Sequence, residues 1–265
     1  MGLPKWQASR PRCQIGSPQN GGLQSDIVYY NSGMNIFTPG WQNSKTAKSD
    51  AIGSWATIIQ HFAPAKLSGH EVCASRSDGC TLGCLNTAGK GAFSTVKQAR
   101  VNRTLLFFND RLVYKKQAIK EVELHCRRCE KLGVKPCARL NGTSDLIWEK
   151  LFPELFGLFP NVQFYDYTKH VKRCTGHWSL PQNYHLTFSR SENNQANVDK
   201  VLTAGLHNVA VVFGPHIPDN WLGLNVYNGD NHDLRFTDPK APIVGLKAKG
   251  KARRDNTGFV VRVGG

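Results

Sequence analysis

The chain has 265 residues, enough to bury one sizeable core, and a single α/β barrel fits this length. Its 34 Lys and Arg residues against 19 Asp and Glu leave a net charge of +15. That balance points toward anionic partners such as nucleic acid or phosphorylated ligands and away from acidic-protein classes. No apolar run reaches the roughly 18 residues of a membrane span, and the first residues, Met1 to Trp6, lack a signal-peptide core and the myristoylation pattern. An intracellular, cytoplasmic protein is expected, so the eight cysteines read as metal ligands or buried thiols rather than as a disulfide framework. On the same reading, the sequons at Asn102 and Asn141 carry no glycan.

The first fifty residues are rich in Gly, Ser, Asn, Gln and Pro and read as an irregular arm or edge layer, with the main domain over 51–265. From there, strand-like and helix-like segments alternate. Strands are expected at 56–62, 136–140, 162–167, 184–188, 208–213, 222–227, 243–247 and 259–263. Several are short apolar runs, such as Val209 to Phe213, as in strands covered on both faces. The clearest helix is 114–132, with Ile119, Val122, Cys126 and Cys129 on one face and Gly133 placed to end it. Ser144 is placed to cap a helix carrying Leu146, Trp148, Leu151 and Phe152, and a third helix spans 192–204. Alternating β and α elements predict a parallel sheet, closed or partly closed into a (β/α) TIM-like barrel.

The most informative segment runs from His70 to Cys84. Cys73, Cys80 and Cys84 fall within twelve residues, interrupted by two glycines, in a loop after a predicted strand and so on the face where barrel active sites lie. Soft thiolates so arranged suit an iron–sulfur cluster or zinc. Three thiolates on a [4Fe-4S] cluster would leave one iron open; a zinc site would want a fourth ligand, with His70, Cys137 or Cys174 available. Unligated thiols are the plainer alternative. Cys126 and Cys129 form a C-x-x-C pair but continue an apolar helix face, which favours buried thiols. Cys13 and Cys174 have no partner at diagnostic spacing.

Polar residues follow each predicted strand and would ring the same face. They include Asn141, Thr143, Ser144 and Asp145, then Asp166, Tyr167, Thr168 and Lys169. Ser189, Arg190 and Glu192 come next, followed by Asp230, His232 and Asp233, and last by Lys247 and Lys249. Asp145, Asp166 and Arg190 are the candidate catalytic groups; Asn141, Thr143, Ser144, Lys169 and Ser189 are candidate cofactor contacts. His61, ending its strand, reads as a hydrogen-bonded core residue. Lys97, Arg100 and Arg103 form one basic stripe, and Lys247, Lys249, Lys251, Arg253 and Arg254 a second; both are candidate phosphate or nucleic-acid contacts. Solvated faces are the alternative for each.

With a three-cysteine loop after its first strand, the chain resembles radical S-adenosylmethionine (SAM) enzymes, which implies a [4Fe-4S] cluster whose open iron receives SAM. The loop reads C-x6-C-x3-C where that family reads C-x3-C-x2-C, and Asn141 to Asp145 stands where a glycine-glycine-glutamate stretch is common. The overall sequence more closely resembles a group of bacteriophage proteins known as numbered gene products. The stretches that carry this are the cysteine loop with 84–91, 100–104, 140–145, 228–233 and 245–250. Together these resemblances imply an iron–sulfur phage protein, possible enzyme or not, of radical-SAM-like fold; a non-catalytic nucleic-acid-binding protein with a structural metal is the alternative.

Overall fold

The computed structural model describes residues 34–42, 47, 50, 53–239 and 243–263. Among the described residues, nine strands form one sheet in the order β1-β2-β3-β4-β5-β6-β9-β8-β7. They are β1 (Phe37–Pro39), β2 (Trp55–Gln60), β3 (Lys135–Arg139), β4 (Gln163–Thr168), β5 (Tyr184–Ser189), β6 (Val209–Phe213), β7 (Asn220–Trp221), β8 (Leu224–Asn228) and β9 (Ile243–Lys247). From β2 through β6 to β9 and on to β8, every neighbour is parallel. The outer pairs, β1 with β2 and β7 with β8, are antiparallel. The strands β2 to β6 lie side by side in chain order, so each crossover advances in the same direction. The two edge strands do not pair with each other, and the sheet is open among the described residues. The protein is therefore a mixed α/β fold built on a largely parallel sheet.

Between the strands run α1 (Asp78–Leu82), α2 (Ser94–Asn109), α3 (Arg111–Leu132), α4 (Trp148–Leu151), α5 (Glu154–Leu158), α6 (Val171–Cys174) and α7 (Gln195–Ala204). Helix α3 buries Tyr114, Ala118, Val122, Cys126 and Cys129 at helical spacing and ends on Gly133 in the left-handed region, as its sequence predicts. The pleat then divides each strand between two cores. Phe164, Leu186, Phe188, Val209 and Val211 join the helices in the main core. On the opposite face, Cys137 and Tyr165 pack with Leu234 from the connection between β8 and β9. Cys126 and Cys174 lie in the main core as buried thiols.

Expected and observed elements differ where tertiary geometry overrides local pattern. Ser144 does not cap a helix: its hydroxyl donates to Asn141 Oδ1 (2.8 Å), and helix begins only at Trp148. The side-chain carbonyl of Asn141 also accepts from Leu146 N (3.0 Å) and Trp148 Nε1 (3.1 Å), which holds 142–147 as a loop. The strand expected at 259–263 reduces to one bridge, Phe213 to Val261. The strand expected at 222–227 is a hairpin, because Leu222 (φ 53°) and Gly223 (φ 77°) make its two-residue turn. Of the N-terminal arm, β1 is an edge strand held by Glu121, whose carboxylate accepts from Ile36 N and Phe37 N (both 2.8 Å). Residues 1–33, and with them Cys13, lie outside the described residues.

Leucine in the left-handed region is strained, whereas asparagine tolerates it, and Leu222 is 63% exposed, so little packing is lost on replacement. Leu222→Asn is expected to stabilise the protein by about 0.5–1 kcal/mol, read from the denaturant midpoint. An unchanged or lowered midpoint would contradict the turn geometry.

Candidate functional site: a cysteine-bearing cationic cleft

The carboxyl ends of the parallel strands open onto a cleft of about 980 Å³. Cys73, Cys80 and Cys84 all line it. They arrive from two directions. Cys73 sits in the loop after β2, where its Sγ lies 3.7 Å from the Thr143 carbonyl of the loop after β3. Its neighbour Val72 accepts from Asp145 N (2.8 Å), and Arg76 closes the loop by pairing with Glu71. Cys80 lies within α1 and Cys84 two residues beyond it.

Helix α1 is only five residues long, too short to persist without tertiary contacts. Ser77 caps it, its Oγ accepting from Cys80 N (3.2 Å) while donating to Glu192 Oε2 (2.7 Å). Glu192 Oε1 also accepts from Gly79 N (2.7 Å). A carboxylate from the loop after β5 thus grips the start of the helix that carries Cys80. The approach is so close that a Cβ at Gly79 would stand 2.6 Å from Phe259 Cβ and would overlap Thr257 Oγ1. Glycine is required there by space.

Burial dominates the thiol chemistry. Loss of solvent pushes Cys73 up to about 12, and the Asp145, Cys84 and Cys80 charges add to the rise. Burial likewise raises Cys84, with Cys80 adding and Arg100 and Lys169 opposing. These thiols face one another electrostatically, yet no group of three His, Cys, Asp or Glu among the described residues is placed to hold a metal ion. The proposed fourth zinc ligands are not brought to them. Cys137 is fully buried under the sheet, donating to the Ala56 carbonyl (3.4 Å). Cys174 is buried in the main core, and His70 stacks on Phe108 at 4.2 Å.

The lining is strongly basic. Arg76, Lys90, Arg100, Arg103, Arg139, Lys169, Lys247, Lys249 and Arg253 all line it; Asp145 is the acidic lining residue among those described. Arg100 is 7% exposed, and α2 fixes it. The Thr104 hydroxyl one turn on donates to the Arg100 carbonyl (2.8 Å) and accepts from Ala63 N (2.9 Å), which pins the helix to the end of β2. The Arg100 guanidinium donates to Asn86 Oδ1, while its Nε has no partner. Lys169 Nζ donates to Ser189 Oγ (2.9 Å) and Lys249 Nζ to Asp230 Oδ1 (3.1 Å). His61 also lines the cleft; desolvation and the Arg100, Arg139 and Arg103 charges hold it well below the usual range, so it stays neutral.

The other sequence candidates divide. Asn141, Thr143, Ser144, Lys169 and Ser189 line the cleft, as do Asp145, Lys247 and Lys249. Asp145 accepts from Lys169 N (2.8 Å) and lies 3.8 Å from Arg173, so it braces the strand-end loops. Asp166 points the other way: β4 continues to Thr168, so Asp166 is within the strand and faces the helices. It accepts from Asn141 N (2.7 Å) and Tyr184 Oη (2.8 Å). Arg190 donates to the Gly258 and Phe259 carbonyls (2.5 and 3.0 Å) and so pins the C-terminal segment. Of the basic stripe on α2, Arg100 and Arg103 line the cleft and Lys97 does not; Arg100 is buried, so the three do not share one solvated face. Sequence reasoning passed over Arg139, whose signal was a lone charge inside an apolar strand, and the clamping role of Glu192, which no local pattern reveals.

The fold and the cleft together define a mixed α/β protein with a thiol-bearing cationic site at the carboxyl edge of a parallel sheet. The chain belongs to the Gene product 88 family, whose model matches residues 38–263. No curated protein and no solved structure matches it.

Two outcomes follow from this geometry. Removing the Glu192 carboxylate by Glu192→Ala should free two donors on α1. Loss of charge-assisted hydrogen bonds is worth about 1.5–3 kcal/mol, so the Gly79 and Cys80 amides should exchange roughly tenfold to a hundredfold faster; unchanged protection would contradict the clamp. Burial raises the Asp166 carboxyl to about 7, above its unfolded value. The folded state then holds a proton that the unfolded state releases, and stability contributed by the neutral acid declines as pH rises from about 4 through 7. Asp166→Asn should flatten that decline in a denaturant series across the same window; an identical slope in both proteins would count against it.

Proposed function

We propose that the cleft holds an iron–sulfur cluster on Cys73, Cys80 and Cys84. The observation that supports this reading is that Cys73, Cys80 and Cys84, from a loop, a clamped helix and the turn after it, all line one cationic cleft at the sheet's carboxyl edge. A closed zinc site wants four protein ligands, and His70, Cys137 and Cys174 are engaged elsewhere. Three thiolates without a fourth donor suit a cluster that keeps one iron open. Buried thiols ionise only against nearby positive charge, which bound iron would provide and which Arg100 and Lys169 reinforce.

When bound through three protein thiolates, such a cluster keeps one iron open for electron transfer or for activation of a ligand. The chain's own residues do the rest. Glu192 and Ser77 fix the direction of Cys80, the Thr143 carbonyl stands beside Cys73, and Asn141 fixes the loop bearing that carbonyl. The cations of the lining place and neutralise a negatively charged ligand beside the sulfurs. The consecutive strand order suits an opened (β/α) barrel with its site at the usual end. The cationic lining and the C-x6-C-x3-C spacing suit SAM poorly, because its sulfonium is itself a cation. The reading is an iron–sulfur protein, with the reaction left to its ligand.

A second reading has its own support. Lys247, Lys251, Arg253 and Arg254 are exposed along one short segment, as in proteins that contact nucleic-acid phosphates without reading sequence. In that case the protein would bind DNA or RNA without catalysis.

Protein purified without oxygen should be brown and carry about four irons and four sulfides per chain. Replacing Cys73, Cys80 or Cys84 by alanine should remove most of the iron, while Cys126→Ala should leave it in place. A colourless protein, or one holding a single equivalent of zinc, would overturn the cluster reading.

A further inference from the structure

The cations of the cleft are not matched by acids within it. Arg139 is neutralised from below by Asp233 (2.9 Å), Arg76 by Glu71 and Lys249 by Asp230. Among the described residues Arg100 has no such carboxylate: it is more than nine-tenths buried, its amide partner Asn86 is neutral, and its Nε has no hydrogen-bond partner there. Burying a cation without a counter-charge is costly unless an anion arrives. Across the cleft, Lys169 donates to the neutral Ser189 hydroxyl, and the exposed Lys90, Lys247 and Arg253 complete the rim. Beside these charges lies an apolar wall of Leu85, Val96, Val212, Leu246 and Phe259.

From this arrangement we propose that the cleft binds a small phosphate ester of nucleotide size, its phosphates between Arg100 and Lys169 and its apolar body against the Leu85–Phe259 wall. The proposal deepens the iron–sulfur reading by naming the ligand class of the same site, but the anion site rests on side chains other than the cysteines. Size and depth decide against a polymer. The cleft volume is that of a small-molecule pocket. Its unmatched guanidinium belongs to a residue only 7% exposed, where the phosphates of a duplex do not reach. Phe259 and Tyr167 are the aromatic rings of the lining, too few for a track of stacked bases.

The test titrates full-length protein, purified without oxygen, with ATP, with inorganic tripolyphosphate and with a single-stranded oligonucleotide. The expected result is saturable, salt-sensitive binding of ATP, with tripolyphosphate weaker because it lacks the apolar body. Lys169→Ala combined with Lys247→Ala should weaken ATP by about tenfold or more, the scale of losing charge-assisted phosphate contacts. Lys131→Ala, on α3, should change nothing, and circular dichroism of each variant reports folding. Repeating the titration on protein with Cys73, Cys80 and Cys84 all changed to alanine separates the two ideas. Iron lost with ATP binding kept supports the phosphate site by itself, and a colourless wild type that still binds ATP sinks the cluster alone. Binding of the oligonucleotide without ATP would overturn the proposal in favour of nucleic acid. So would ATP binding unaffected by the double substitution, or no phosphate binding at all.

Discussion

The Glu192 carboxylate bound to Ser77 and Gly79 is the contact on which the site depends. The cysteine segment has little core of its own: α1 is one turn and a half, and Cys80 with a few neighbours makes only a small satellite cluster around Phe259. What fixes the segment is a set of polar contacts from successive strand ends. Asp145, after β3, bonds Val72 through its amide; His170, after β4, meets Ser75 at 3.3 Å; Glu192, after β5, clamps α1. Parallel neighbours place those strand ends side by side, so the sheet register sets where the sulfurs stand. A change in the sheet would be felt at Cys80 through a carboxylate rather than through packed hydrocarbon.

The same view explains where the charge goes. Several acids are consumed inside the molecule. Glu149 forms a two-pronged pair with the buried Arg173 (2.8 and 2.7 Å), which also reaches Tyr184 Oη (3.2 Å), the donor to Asp166. On the opposite face of the sheet, Asp233 holds Arg139 and Asp238 holds Arg235 (2.9 and 3.1 Å). Buried ion pairs of this kind fix geometry more than they add stability. Their consequence here is spatial. With acids committed beneath the sheet and between its layers, the net charge of +15 is expressed strongly in the cleft. The cleft thus carries a positive field, which favours an anionic ligand, while burial holds Cys73 and Cys84 as thiols.

Much of the fold was legible because strands covered on both faces announce themselves as apolar runs. Val209 to Phe213 and Ile243 to Lys247 fell within a residue of their observed ends. The long helix α3 was equally plain from its periodicity and its glycine stop. What local pattern missed was set by distant partners. The loop at 142–147 stays unwound because Asn141 occupies its donors, and 259–263 hangs on a single bridge beside Arg190's two bonds. For the site, Cys73, Cys80 and Cys84, close in sequence, line one cleft, and the strand-end residues Asn141, Thr143, Lys169 and Ser189 line it with them. Local pattern failed for Asp166 because alternation along β4 turns its side chain, like that of Phe164, toward the helices rather than out at the strand end. It failed for Arg100 because helical spacing shows which residues share a face, not whether water reaches it.

The proposed multi-iron centre on Cys73, Cys80 and Cys84, with one open position, is tested by Mössbauer spectroscopy of iron-enriched protein kept free of oxygen. The expected cubane spectrum has one iron of about four distinct from the rest, shifting when a ligand is added and lost in Cys80→Ser. A spectrum from a single mononuclear iron, or no protein-bound iron in wild type, would contradict it.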